Sequence, residues 1–514
     1  MKKLILPVVA MLLCMTACKK EENGILRLEV EHYNSDAKMH IDDDDFAVWD
    51  NGDAVYLNGQ ETAVSISGTT ATIAVPGGVS APYYASYPYN TTHVNGSSDY
   101  TITLPAVQTY RKNTAGQQIV DAPMAAYSTD GQKLKFRNIG SVLALEVKPS
   151  STIKVTNIEV SANQPLWGNI TFHDDLNSDS YTLSSCTNGG NTVTLMGINE
   201  NVSTSGKIYY IALPAVNDAK FTIKVYTQES NFYYSYTRTQ SGTVSFDKNT
   251  IHAVPLTLSN ATRTSVDLFT INGSNQKVSF ASGNVRYYNY YGTGWTMYGD
   301  SWRSVATSDL DANNCDLFGW SSDGNYGKTI YNSSYTGSTS TSTFKDWGEA
   351  VVSNFGEGYR TLSSDEWLYV FNTRTNNTVT FNGENKGRLR WRRATVAEVP
   401  GVILFPDGDV TINVLGKSLS TSNDYSASSF TADEWNKSFK PVGCVFLPAL
   451  GYRSASGTIT NRNTHCLYWS STPSSSTSNN VNVLYVSNDP SYGASQTTKS
   501  RGYGLPVRLV KNRN

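Results

Sequence analysis

An alternation of period two recurs through residues 25–260 and constrains the fold more than any other feature. Leu26, Leu28 and Val30 alternate with Arg27, Glu29 and Glu31. Leu143, Leu145 and Val147 alternate with Ala144, Glu146 and Lys148, and Phe221, Ile223 and Val225 with Thr222, Lys224 and Tyr226. A strand sends successive side chains to opposite faces, so this spacing makes one face apolar and the other wet. Antiparallel sheets packed as sandwiches are the architecture that uses such strands. Turn formers separate the runs at Asn51-Gly52-Asp53, Pro76-Gly77-Gly78, Asp130-Gly131 and Asn188-Gly189-Gly190. The region reads as mainly β and divides near Pro149-Ser150-Ser151 into two β-sandwich subdomains, 25–149 and 150–260.

A small polar stretch, Ser259 to Ser265, ends this pattern. Residues 266–514 read as an α+β domain. Ser363-Ser364-Asp365-Glu366 before Trp367 and Thr431-Ala432-Asp433-Glu434 before Trp435 have the spacing of a capping box. Thr343-Phe344-Lys345-Asp346 is a weaker version before Trp347. Short apolar runs at 402–405, 442–447, 483–486 and 507–510 supply strands. Trp367, Phe446 and Trp469 sit in apolar patterns and are expected in the core. Arg360, Arg453 and Arg508 are expected to pair with Asp365, Glu366 or Asp407 and orient loops.

Composition limits the partners. Of 514 residues only 16% are charged, against roughly 25% in an average soluble protein, and the net charge is −2. Without excess cations to displace phosphate counterions, the chain is no nucleic-acid binder, and it is no polybasic membrane-surface protein. The 39% of hydrophobic residues suffices for sizeable cores.

The first residues set the compartment. Met1-Lys2-Lys3 followed by the apolar run Leu4 to Leu13 is too short for a permanent transmembrane helix and reads as a secretory signal peptide, 1–17. Thr16-Ala17-Cys18 resembles a bacterial lipobox, which implies cleavage before Cys18, its lipidation, and a lipidated tether over 18–24. Lys19-Lys20-Glu21-Glu22 is similar to the surface-export signal of Bacteroidetes lipoproteins. The expected location is the cell surface, as an outer-membrane lipoprotein.

The remaining cysteines, Cys186, Cys315, Cys444 and Cys466, are too few for a disulfide scaffold and lack the CxxC spacing of a zinc site. Cys444 and Cys466 either pair or remain as buried free thiols. HExxH, GxSxG and GxxxxGK[ST] do not occur, and the six histidines have no ligand spacing. Cys444 lies in an apolar run, where a thiol is inert packing, so no enzyme activity, cofactor or metal is expected. Asp309-Leu310-Asp311-Ala312-Asn313 carries alternate oxygen ligands but lacks the turn Gly and bidentate Glu of an EF-hand. The candidate binding surface is Arg286 to Trp295. Its Tyr287, Tyr288, Tyr290, Tyr291 and Trp295 offer large contact area at small entropic cost. The other reading of this stretch is a strand with tyrosines on both faces, Val285, Tyr287 and Tyr290 pointing into the core.

Several segments of the front half carry a family resemblance: Trp49-Asp50-Asn51-Gly52-Asp53, Tyr87-Pro88, Leu104-Pro105-Ala106, Ala122-Pro123-Met124-Ala125-Ala126-Tyr127, Phe136-Arg137-Asn138 and Ile153 through Ala162. Together they resemble the fimbrillin family of Bacteroidales pilus subunits (the Mfa-like and FimA-like lipoproteins). That resemblance implies two transthyretin-like β-sandwiches and assembly by strand exchange, in which proteolysis frees the first strand and a partner's strand fills the groove. Here the first strand is Ile25 to His32, and the candidate cleavage residues are Lys38, which is preferred, and Arg27. The alternative is that Ile25 to His32 stays in place permanently. The rear half carries Val278-Ser279-Phe280-Ala281-Ser282-Gly283-Asn284-Val285, Asp316-Leu317-Phe318-Gly319-Trp320, Tyr359-Arg360-Thr361-Leu362, Gly443 through Arg453, Tyr468-Trp469-Ser470-Ser471-Thr472 and Pro506-Val507-Arg508-Leu509-Val510. These resemble the Fibrobacter succinogenes major paralogous domain, which implies a C-type-lectin-like fold over 266–514. The two resemblances together imply a pilus component, a tip adhesin, with other pilus subunits and a glycan or host-matrix ligand as partners. The alternative is a surface glycan-binding lipoprotein that never polymerises.

Overall fold

The computed structural model describes residues 21–22, 25–32, 40–41, 47–49 and 53–513, the last range without 68–69, 89–91, 94–98, 130–132, 174–175, 177–182, 306–310, 312, 321–324, 329–343 and 476–478. Cys18, Lys38 and the expected signal peptide lie outside the described residues, as do Asp309 and Thr343. The chain is mostly β, with a few short helical turns confined to its rear half apart from one at Leu258–Asn260.

The period-two pattern of the front half forms sheets, as expected. An eight-stranded sheet begins with the short Glu21–Glu22 strand, and the other seven close into a ring. In order around the ring they are Ile25–His32, Lys133–Asn138, Met124–Ser128, Tyr83–Tyr87, Ala54–Leu57, Gln60–Ser67 and Thr70–Ala74, which pairs back onto Ile25–His32. Inside lie Trp49, Val55, Leu57, Val64, Ile73, Tyr87, Met124, Leu134 and Phe136, all buried. Outside, Tyr84, Ala125 and Tyr127 pack against a second layer made by the antiparallel strands Asp99–Leu104 and Trp167–His173, through Tyr100, Ile170 and Phe172.

The second unit is a β-sandwich. Its larger sheet is centred on Ile153–Ala162, Phe221–Glu229 and Phe232–Thr239, and its smaller sheet has the order Lys207–Leu213, Ser141–Lys148, Ile251–Thr257. Leu143, Leu145 and Val147 face Ile158, Val160, Ile223 and Val225 across the core. Ser141–Lys148 therefore belongs to this core and not to the one before it, so the change of core falls near Gly140. Trp167–His173, conversely, returns to the first unit. The two front units are interleaved along the chain because their strands pair across distance, not with sequence neighbours.

The rear half builds three apolar clusters from short sheets. Its last strand, Leu509–Arg513, lies between Lys277–Phe280 and Tyr359–Thr361. Both capping boxes form, with Glu366 N donating to Ser363 Oγ and Glu434 N donating to Thr431 Oγ1, each carboxylate accepting from the cap residue's own N–H. The third helix start differs: Asp346 is itself the cap, accepting from Gly348 N, because the helical turn begins at Trp347. Trp367, Phe446 and Trp469 are fully buried.

Of the expected arginine pairs, one forms. Arg360 grips Glu366 with two bonds of 2.8 and 2.7 Å. Asp407 pairs instead with buried Arg374 at 3.0 Å. Arg508, 1% exposed, meets no carboxylate among the described residues. It donates to Asn284 Oδ1 at 2.8 Å and to the carbonyls of Ala281, Ser301 and Phe446 at 3.2, 3.2 and 3.0 Å. Burial pushes its guanidinium down to about 10. Its N–H donors satisfy carbonyls from three separate segments, one of them the strand Val445–Pro448, so the correction has a physical basis: buried carbonyls need donors, and a second charge is not required. Replacing Arg508 by Met should lower stability by about 3 kcal/mol or more, because three buried carbonyls lose their donor. Urea melts followed by tryptophan fluorescence would register this, and Arg508→Lys should recover only part of the loss.

Candidate functional site

The aromatic stretch folds as a hairpin, Val285–Tyr288 against Gly294–Met297, with Tyr287 opposite Trp295. Gly292 and Gly294 take φ of +73° and +68° in the turn, a conformation open to glycine at little cost. Alternation then sorts the five candidate residues. Tyr287 and Trp295 share the inward face and join the cluster around Phe318 and Trp320. Trp295 lies edge-on to Tyr287 at 5.1 Å and to Tyr326 at 5.5 Å. The Lys328 ammonium sits 4.1 Å over the Tyr287 ring. These two are framework, half-buried.

Tyr288, Tyr290 and Tyr291 form the outward group. Tyr291 is 85% exposed and Tyr290 58%. The Tyr288 ring stands 5.7 Å from Tyr290 and 6.0 Å from Tyr291. On its other side Arg286 stacks at 4.1 Å, its guanidinium held by Asn314 Oδ1 at 3.0 and 2.8 Å. Tyr290 O–H donates to Asp311 Oδ2. The expectation that Tyr290 points into the core is therefore corrected: it lies in the turn, beyond the last strand pair, where alternation no longer governs direction. That hydrogen bond, followed by the N–H of Asn313, holds the Asp311 carboxyl below the usual carboxylate range. Asp311 is thus a turn-bracing acceptor, and no group of three His, Cys, Asp or Glu placed to hold a metal occurs among the described residues. The supporting residues Arg286, Asp311 and Asn314 carry no sequence signal for this role. They come from a hairpin and a loop whose adjacency appears only in the fold.

What the surface can do follows from its parts. Three ring faces and one guanidinium face are held at a rigid tip, suited to stacking on flat apolar faces such as those of sugar rings.

Cys444 and Cys466 are both free and buried. The Cys466 thiol donates to Leu447 O at 3.3 Å. Burial raises both thiols, Cys466 to about 12 and Cys444 further still. A thiol so placed carries negligible thiolate at neutral pH and is a poor nucleophile. In the native protein at pH 7.5, Ellman's reagent should leave Cys444 and Cys466 unmodified, and both should react promptly in guanidinium. For the hairpin, Tyr290→Phe removes the bond that holds the Asp311 carboxyl down. The Asp311 midpoint in an NMR titration should then rise toward its ordinary value.

No family profile matches the chain, and no curated protein matches it. Solved structures do. A proposed cell adhesion protein of Bacteroides ovatus is 13% identical, with a TM-score of 0.28 over 46% of this chain and 95% of its own. One from Bacteroides uniformis is 14% identical, with a TM-score of 0.26 over 48% of this chain and 98% of its own. One from Bacteroides fragilis is 11% identical, with a TM-score of 0.23 over 55% of this chain and all of its own. At such TM-scores the likeness fixes neither the fold nor the role of this chain.

Proposed function

We propose that the chain is a cell-surface fimbrial component assembled by strand exchange, with the region from 266 onward displaying the adhesive surface. One observation carries this reading: the first strand is the piece that closes the ring. Arg27 to Val30 pair antiparallel with Ala71 to Ala74, and Glu29 to His32 pair parallel with Lys133 to Phe136. Removing Ile25–His32 would leave two sheet edges with unpaired N–H and C=O groups, facing each other across a core that contains Ile73, Leu134 and Phe136. Such a trough is a template for another chain's strand. The ring geometry also weighs the two cleavage residues. A cut at Arg27 falls inside the strand and leaves residues 28–32 paired on both sides. A cut at Lys38 follows the strand and would release all of it.

The strand Leu509–Arg513 is enclosed between two neighbours, so this segment is not the one given to the next subunit. One-sided exchange of that kind suits a tip position, where Tyr288, Tyr290 and Tyr291 would meet a glycan or matrix ligand. The lipid on Cys18 would hold the chain at the outer membrane before assembly. No residue is assigned a catalytic role.

A chain lacking residues 1–38 should capture a synthetic peptide of sequence ILRLEVEH, measured by fluorescence anisotropy, and Ile73→Lys should abolish capture. Should the shortened chain stay monomeric, melt like the parent and ignore the peptide, the first strand is dispensable and the strand-exchange reading fails. A tethered, non-polymerising glycan binder would then be the better description. In that case Tyr291→Ala should still reduce binding on a glycan array by at least about tenfold.

A further inference from the structure

Where the second sandwich meets the rear half, two cavities of about 350 and 290 Å³ share the walls Lys154, Gln228, Tyr233 and Lys440. Three of those residues come from strands of the sandwich and Lys440 comes from the turn Lys440–Val442 of the rear half. Neither half makes the site alone. The halves are fastened around it by Asn157 Nδ2 donating to Lys437 O at 2.7 Å and Arg513 donating to Tyr234 Oη at 2.8 Å. Gly443 permits the close approach of Val266, whose N–H donates to Tyr233 O of the sandwich at 3.1 Å: a Cβ at 443 would stand 2.0 Å from Val266 O, and its φ is +87°.

The charges at this junction do not balance locally. Asp433 is taken by Lys437 at 2.8 Å and Asp300 by Arg303 at 2.8 Å. Lys440 donates to the Gly299 carbonyl at 3.2 Å, and neither it nor Lys154 has a carboxylate within ion-pair distance among the described residues. Burial, with the neighbouring Lys154 charge adding to it and Asp300 opposing it, pushes the Lys440 ammonium down. Two ammonium groups thus line one solvent-connected cavity while the nearest carboxylate, Asp300, is shared with Arg303, which leaves the pair able to take a further anion.

A second observation concerns the smaller cavity. Ser301 and Asp267 line it at 5% and 6% exposure. Ser301 Oγ and Asp267 Oδ1 have no hydrogen-bond partner, while Asp267 Oδ2 accepts from Tyr233 N at 3.3 Å. Burial raises the Asp267 carboxyl, with the Arg513 charge and the N–H of Tyr233 acting against the rise. Buried polar atoms without partners call for a polar guest. The guest that answers both observations carries an anionic group for the lysines and hydroxyl groups for Ser301 and Asp267.

We propose that this junction is a binding site for an anionic sugar, its carboxylate or phosphate lying between Lys154 and Lys440 and its hydroxyls reaching Ser301 and Asp267. The combined space lies within the range of small-molecule sites. The site is separate from the tyrosine hairpin and does not depend on strand exchange. Occupancy would neutralise the paired lysines and so tighten the rear half onto the sandwich.

Isothermal titration of the full chain with glucuronate, glucose 6-phosphate, glucose and acetate tests this. At least one of the two acids should bind saturably, and which one does identifies the anionic group. Glucose and acetate, each carrying half of the required chemistry, should give no saturable signal. Lys154→Met and Lys440→Met should each weaken binding at least about tenfold, and Lys440→Arg should retain it. Lys154→Met should melt at or above the parent temperature, because it removes a like charge facing Lys440. Three results overturn the proposal: no saturable binding of either acid, equal affinity in the Met variants, or a Lys154→Met variant that melts well below the parent.

Discussion

A sheet edge exposes a row of N–H and C=O groups that must find partners, and the front of this molecule is organised around that requirement. Its first unit meets the requirement by closing a ring, and the strand that closes it, Ile25–His32, is also the one nearest the N-terminal tether. Six of the seven ring strands come from residues 54–138, with one long excursion over 88–123 between Tyr83–Tyr87 and Met124–Ser128. The seventh joins the rest through a separate stretch of chain and makes half its contacts on each side. Closure therefore depends on the one strand that bridges Thr70–Ala74 and Lys133–Asn138.

The sequence made local features legible and left non-local ones hidden. Capping boxes at Ser363/Glu366 and Thr431/Glu434 were readable because both partners lie within one helical turn. Strand identity was readable from alternation, as at Phe221–Glu229, because one face must be buried. The partition of strands between cores was not. Ser141–Lys148 alternates equally well whichever core it enters, and its partners, Lys207–Leu213 and Ile251–Thr257, lie some 60 to 110 residues away. The tyrosine hairpin shows the boundary between the two cases. Tyr287 follows from the alternation that begins at Val285, whereas Tyr290 sits in a turn and is fixed by Asp311, a residue that sequence spacing suggests as a calcium ligand.

The rear half solves a different problem from the front. Its loops, helical turns and strand ends offer buried carbonyls, and buried guanidinium groups donate to them. Arg374 donates to the carbonyls of Val370, Arg390 and Phe405 as well as to Asp407. Arg393 donates to those of Ser487, Asn423 and Tyr492, and Arg508 to three more. Each arginine ties together segments far apart in sequence, which fits a chain with few charges: the cations it does bury serve as multi-donor pins more than as ion-pair partners.

This division of labour bears on where binding can occur. A surface carried on pinned loops keeps its shape, so the Arg286–Tyr288 stack loses little entropy on meeting a ligand. The strand-paired front, by contrast, has its changeable element at the opposite end of the chain from those pins. Between them lies the sandwich core built on Ile158, Val160, Ile223 and Val225. Tyr226, on the neighbouring strand position, already belongs to the rear half's apolar cluster with Trp435 and Phe446. A change at the ring thus meets a packed sandwich before it meets the binding surface. The ring and the tyrosine hairpin are thus separated by apolar packing, and a substitution in one is expected to leave the other unmoved.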